Sequence, residues 1–142
     1  MSAPPLPAGP CPCGRRDRRD RPLAYALCCG RYIDDFDGVP APDAESLMRS
    51  RYSAFVRERA DYLLSTWHSR TRPPDLNFEA GVRWLGLEVR ARSMSDGEHA
   101  EVEFVARHRD ANGRASRLTE RSRFVRENDR WYYVDAVPDP SV

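Results

Sequence analysis

Trp84-Leu85-Gly86-Leu87-Glu88-Val89-Arg90-Ala91-Arg92 is the stretch whose reading decides the fold. Leu85, Leu87, Val89 and Ala91 alternate with Gly86, Glu88, Arg90 and Arg92. A period of two puts apolar side chains on one face of a strand and polar ones on the other. Towards the C-terminus the pattern recurs. Ala100, Val102, Phe104 and Ala106 alternate again, Leu118 to Val125 reads as a third strand, and Trp131-Tyr132-Tyr133-Val134 as a fourth. Asp96-Gly97, Asn112-Gly113 and Asn128-Asp129 fall between these runs, and such pairs favour tight hairpins. Four strands joined by short turns predict an antiparallel meander.

Towards the N-terminus the period changes to 3.6. Asp43 is a good N-cap, and Met48, Tyr52, Phe55 and Val56 share one face of a helix running to about Arg59. Asp61 reads as the cap of a second helix carrying Tyr62, Leu63, Thr66 and Trp67, before Pro73-Pro74 closes the region. The spacing over 75–82 predicts a short third helix. Helices first and a meander after them predict an α+β domain, with helices covering one face of a curved sheet.

Upstream lies a different chemistry. The chain has four cysteines, in the pairs Cys11-Pro12-Cys13 and Cys28-Cys29. Pro12 and Gly14 favour a tight turn that can aim the first two sulfurs at one ion. Four thiolates are the donor set of structural Zn2+, and a site closed by four of them leaves no position for a catalytic water. Disulfides and free redox-active thiols are the alternatives. Met1-Ser2-Ala3-Pro4-Pro5 has no apolar export core, so a reducing, cytoplasmic setting is expected, which disfavours disulfides. Twenty residues cannot bury a core, so this segment is expected to need its metal to fold.

Length and charge narrow the function. The 142 residues suit one domain with a small appendage, and no stretch is long and apolar enough to span a membrane. A formal net charge of +1 gives no global attraction to nucleic acid. All 23 basic residues are arginine. Five of them, Arg15, Arg16, Arg18, Arg19 and Arg21, crowd between the cysteine pairs with Asp17 and Asp20. They can offset the charge of a zinc–thiolate centre, or contact RNA or an acidic surface. No aromatic residue interleaves them, which argues against base stacking.

Cys11-Pro12-Cys13-Gly14 followed by Tyr25-x-x-Cys28-Cys29-Gly30 resembles the SEC-C motif, a small zinc-binding module known from the tail of the bacterial secretion motor ATPase. Leu47-Met48-Arg49-Ser50-Arg51-Tyr52-Ser53-Ala54-Phe55, Asp61-Tyr62-Leu63-Leu64, Thr66-Trp67-His68, Trp84-Leu85-Gly86-Leu87, Glu120-Arg121-Ser122-Arg123-Phe124 and Trp131-Tyr132-Tyr133-Val134-Asp135 resemble the bacterial YchJ-like family. The resemblance covers nearly the whole chain from residue 11. The proline-rich composition of 1–10 reads as a disordered tail and the Asp, Gly and Pro residues of 33–42 as a linker, and the resemblance implies a SEC-C zinc module at 11–32. A nuclear transport factor 2-like cone is then implied at 43–142. The arginine-bearing loop is longer than the family's usual spacing, which leaves its shape open.

Strand alternation puts Glu120 on the side of Leu118, Ser122 and Phe124, and a carboxylate on an apolar face needs a partner. Arg51, beside the Met48–Tyr52–Phe55 stripe, is the expected partner. Arg51, Glu120 and His68 are the catalytic candidates, with Glu103, Tyr133 and Asp135 at the rim. Enzymes of the implied fold run acid–base chemistry of isomerase or dehydratase type in their interior. Against that, the favoured reading makes Arg51 and Glu120 a structural pair that fixes the helix against the sheet, and His68 a helix-end residue. The preferred function is a non-enzymatic zinc adaptor. Its SEC-C module would contact protein or ribonucleoprotein partners of the secretion or translation machinery. RNA would bind through the Arg15–Arg21 loop, and the sheets of two copies offer a route to a homodimer. The alternative is a small-molecule binding protein or enzyme using the interior cavity.

Overall fold

The computed structural model describes residues 9–138, so most of the proline-bearing tail expected at 1–10 lies outside the described residues. Helix α1 is Gly30–Ile33, α2 is Ala44–Val56 and α3 is Ala60–Ser65. The strands are β1 (Arg83–Asp96), β2 (His99–Arg109), β3 (Ala115–Glu127) and β4 (Arg130–Ala136). They pair antiparallel in the order β1-β2-β3-β4, the meander that the alternation predicted. The α+β reading holds. The cone does not: β1 and β4 are the two ends of the sheet order, with no pairing between them. An open sheet carrying three short helices replaces the closed, curled form expected from the resemblance.

Local chemistry accounts for the boundaries. Asp43 caps α2 by accepting from the Ser46 amide at 2.7 Å. Asp61, expected as a cap, sits instead in the first turn of α3, where its charge favours the helix N-terminus. No helix forms over 75–82; the segment runs as loop and turn. Asn128 and Asp129 both take positive φ, 52° and 63°, as a two-residue hairpin requires. At Asn112-Gly113 the turn is wider. Asp110 accepts from the amides of Asn112 and Arg114, both at 2.9 Å, and Gly113 supplies the positive φ.

The strand that decides the fold also carries its main irregularity. Leu85, Arg90 and Ser95 are extra residues opposite β2, so β1 is bulged three times. The first bulge shifts the phase: Leu85 turns outward and is exposed, while Trp84 and Leu87 pack on the core. Bulges on an edge strand discourage pairing with another sheet. The β4 edge is guarded differently. His68 N donates to Tyr133 O at 2.7 Å, and Tyr133 N donates to Thr66 O at 2.8 Å.

One face of the sheet meets the helices through Val102, Phe104, Ala106 and Phe124. The other is a charged face, on which Arg121 reaches Glu101 and Glu103, and Arg123 grips Asp135. The cysteines belong to the same buried cluster as the helix–sheet core. The segment expected as a linker contributes Ile33 and Ala41 to that cluster. No helix of the described residues is long and apolar enough to cross a membrane.

Candidate metal centre and adjoining pocket

Cys11, Cys13, Cys28 and Cys29 are all buried, and their four sulfurs lie within 4.8 Å of one another. None is in a disulfide. Two short turns build the cluster. Gly14 N donates to Cys11 O at 3.2 Å, and Gly14 takes φ 78°, which reverses the chain after Cys13. On the other side Tyr25–Leu27 form a 3-10 turn that leads into Cys28, and α1 starts at Gly30. A Cβ at Gly30 would stand 2.8 Å from both the Tyr25 ring and its carbonyl oxygen. The tyrosine and the final glycine of the motif are therefore one packing unit. The Arg57 guanidinium covers the other part of Tyr25, 4.2 Å from the ring centroid.

Crowding couples the four thiols. Hydrogen bonds from Cys13, Cys28 and Cys29 hold Cys11 far below the ordinary thiol range, whereas the bond to Cys11 pushes Cys28 and Cys29 up. Four buried sulfurs this close cannot all carry charge without a cation among them. The cluster can coordinate a single metal ion.

Helix α2 supplies the surround, which the sequence reading did not foresee. Ser53 Oγ lies 3.5 Å from Cys11 Sγ. Arg49 Nη1 donates to Cys13 O at 3.0 Å and Arg49 Nε to Glu45 at 2.8 Å. Glu45 also receives Arg15 from the cysteine loop and Arg92 from β1. Only Arg15 of the five loop arginines turns inward, reaching Ser46 as well at 3.0 Å. Asp17 organises the rest of the loop by accepting from the amides of Arg19 and Arg21. Arg16, Arg18, Arg19 and Arg21 are exposed, and among the described residues neither Arg18 nor Arg19 pairs with an acid.

The second face of α2 looks onto a cavity of about 250 Å³ above the inner sheet face. Leu118, Glu120, Ser122 and Phe124 all line it, as do Arg51 and Tyr133. The expected Arg51–Glu120 ion pair is not formed. Arg51 Nη1 donates to Leu63 O at 2.8 Å and Thr66 Oγ1 at 2.7 Å. Its guanidinium lies 5.1 Å from the Trp67 ring and 4.6 Å from that of Tyr133. Glu120 accepts instead from Ser122 Oγ at 2.6 Å and, more weakly, from Tyr133 OH at 3.5 Å. Burial pushes Arg51 down to about 10, and burial followed by the Glu120 charge pushes Tyr133 up to about 12.

The other candidates sit elsewhere. His68 is not part of the cavity wall; its Nδ1 accepts from Arg70 N at 3.0 Å, so Nε2 donates to Glu127 at 2.6 Å. Glu103 and Asp135 pair with Arg121 and Arg123 on the charged face.

Residues 43–136 match the family described as "YchJ, middle NTF2-like domain". A UPF0225 protein of Polaromonas sp. (strain JS666 / ATCC BAA-500) is 65% identical over 135 residues, 95% of this chain and 97% of that protein. One from Bordetella parapertussis is 56% identical over 95% of this chain and 97% of its own length. Among solved structures, a SEC-C motif containing protein from Psychrobacter arcticus superposes with a TM-score of 0.77 at 31% identity, covering 96% of this chain and 86% of that one. A SEC-C motif containing protein from Rhodopseudomonas palustris gives 0.75 at 29%, covering 92% and 99%. With the cysteine cluster, the meander and these likenesses together, the chain belongs to the YchJ-like UPF0225 family, with an NTF2-like domain behind a SEC-C-type cysteine module.

Proposed function

We propose that the four cysteines hold one structural zinc ion and that the protein is a non-enzymatic adaptor. On this reading the exposed arginine loop contacts a protein or ribonucleoprotein partner of the secretion or translation machinery. The four-sulfur cluster carries the metal reading. Thiolates at the corners of a zinc tetrahedron with Zn–S of about 2.3 Å stand about 3.8 Å apart. Cys13 Sγ and Cys28 Sγ lie 3.6 Å apart, and the other sulfurs within 4.8 Å, so a small contraction brings all four to one ion. Zinc with four thiolates carries net negative charge, and Arg49, bonded to the Cys13 carbonyl, is a cation placed to offset it.

The adaptor reading is supported by what the loop leaves free. Its two unpaired arginines project where an acidic surface or phosphate can reach them. Leu27, in the same cysteine-bearing segment, is 66% exposed and would give such a contact an apolar anchor. The test has two arms. Metal analysis of the native protein is expected to find one zinc per chain, lost in Cys28→Ser/Cys29→Ser. Affinity purification is expected to lose its partners on chelation and in Arg18→Glu/Arg19→Glu, the latter with zinc retained. Partners captured equally by all three preparations would sink the adaptor reading, whereas a zinc-free native protein would sink the metal reading.

A further inference from the structure

No cysteine lines the cavity beside α2, and its lining poses a specific electrostatic problem. Arg51 is 6% exposed, yet no carboxylate pairs with it among the described residues. A buried cation ordinarily has an anion beside it, because desolvation without a partner costs several kcal/mol. Here the compensation is partial. Nη1 is used on Leu63 O and Thr66 Oγ1, and two aromatic rings flank the guanidinium. Nε and Nη2 have no protein acceptor among the described residues, although a planar guanidinium presents its donors as a fork suited to a carboxylate. Glu120, the only carboxylate in the lining among the described residues, is occupied by two hydroxyls.

The remaining lining is apolar and aromatic, with Tyr52, Phe55, Trp84 and Phe104 in the walls. Leu118 stands at the wall 42% exposed, which marks a way in. A dry cavity of about 150 Å³ accepts benzene. One of about 250 Å³ has room for a ring and a short side chain.

We propose that this cavity binds a small monocarboxylate with an aromatic or branched apolar body, its carboxylate on the free edge of Arg51 and its body against the aromatic walls. Glu120 sets the limit of the affinity, since a second carboxylate in the same cavity repels the first. Its place also makes the proposal separable from simple apolar binding.

3-Phenylpropanoate is the probe, with 3-phenylpropanamide and 3-phenylpropylamine as its neutral and cationic counterparts. Binding is read by calorimetry and by the fluorescence of the cavity tryptophans on the full-length, metal-replete protein. The carboxylate is expected to bind saturably and about tenfold tighter than the amide, the difference a charge-assisted hydrogen bond makes. Glu120→Gln is expected to tighten carboxylate binding about threefold or more, by removing the repulsion. Leu118→Trp, at the exposed wall, is expected to weaken it without changing the melting temperature. Arg51→Met should equalise carboxylate and amide. Because Arg51 also secures the end of α3, that variant can fail to fold, and the Glu120 and Leu118 variants then decide. Tighter binding of the amine, equal binding of carboxylate and amide by the native protein, no saturable binding, or unchanged affinity in Glu120→Gln would each overturn the proposal.

Discussion

Replacing Glu45 by alanine tests whether the cysteine module and the helix–sheet domain form one cooperative body. Glu45 lies at their junction, where its carboxylate meets Arg15 of the cysteine loop, Arg49 of its own helix and Arg92 of β1. The Glu45 side chain is 10% exposed and that of Arg49 is 16%, whereas that of Arg92 is 70%. Breaking a buried pair costs about 3–5 kcal/mol, because the surviving charge is stranded. Breaking an exposed pair costs about 0–1 kcal/mol. The Arg49 contact lies nearer the first case and the Arg92 contact in the second. Arg49 keeps its bond to the Cys13 carbonyl and some access to water, so the expected loss is about 2–3 kcal/mol. For a chain of this size that lowers the melting temperature by about 10 °C. The assay is urea unfolding followed by tryptophan fluorescence and far-UV circular dichroism. A double-mutant cycle with Arg49→Met would isolate the pair, which is expected to couple by about 1–2 kcal/mol. A loss below about 0.5 kcal/mol, the level of an ordinary surface substitution, would refute the junction and leave Glu45 a solvated charge.

Gly30→Ala is expected to cost about 1–3 kcal/mol through overpacking against Tyr25, whose carbonyl oxygen cannot rotate away; denaturation and metal retention should fall together, and a neutral result would show that the turn has room. Tyr62→Phe removes the buried 2.7 Å contact with Ser50 and is expected to cost about 1–2 kcal/mol, read by the urea midpoint. Removal of bound metal by a chelator should lower a single unfolding transition, because the cysteines share the core with α2 and β2; two separate transitions would contradict that. Acid should destabilise the protein through Glu45, Asp61 and Asp135. Hydrogen bonds to Arg59 and Arg123 hold the two aspartates below the usual carboxylate range, and the Arg49 bond does so for Glu45 against the opposing effect of its burial. Depressed folded values mean that this stability is fully present above the unfolded carboxylate range, near pH 4, and is lost as pH falls through the folded values. Glu45→Gln should flatten its share of the acid limb.

Strands and turns were legible because they are local. Alternation over Ala100–Ala106 and the turn residues at 128–129 act over a few residues, and the sheet follows them. Leu85 was misplaced because a bulge depends on how β1 meets β2, which periodicity within β1 cannot report. The helix expected over 75–82 fails for a similar reason: its pattern could be satisfied by packing in loop form. The closed cone came from resemblance rather than from residues, and the open strand order corrects it. At the site, the four cysteines could be read from spacing alone. Arg49 and Glu45 could not, since their roles depend on a loop some thirty residues away folding against α2. The Arg51–Glu120 pairing was a reasonable inference from shared faces. It failed because a backbone carbonyl and Thr66 at the end of α3 lie closer to Arg51 than the sheet carboxylate does.

Helix α2 explains why half of the site was hidden. Its apolar stripe, Met48, Tyr52 and Phe55, is what a 3.6 period reveals, and it faces the cavity. A second buried face carries Ser46, Arg49 and Ser53, at spacings of three and four, and faces the cysteine loop. Small hydroxyls let the loop approach the helix closely while satisfying polar groups that burial would otherwise strand. A helix buried on two faces, one apolar and one polar, looks only half amphipathic in sequence. Here the polar half supports the cysteine cluster. Packing binds the two halves, because a rigid helix cannot tilt to relax one face without moving the other. The cysteine cluster therefore holds in place the same helix that presents Arg51 to the cavity, and the cysteine segment and the helix–sheet domain share one core.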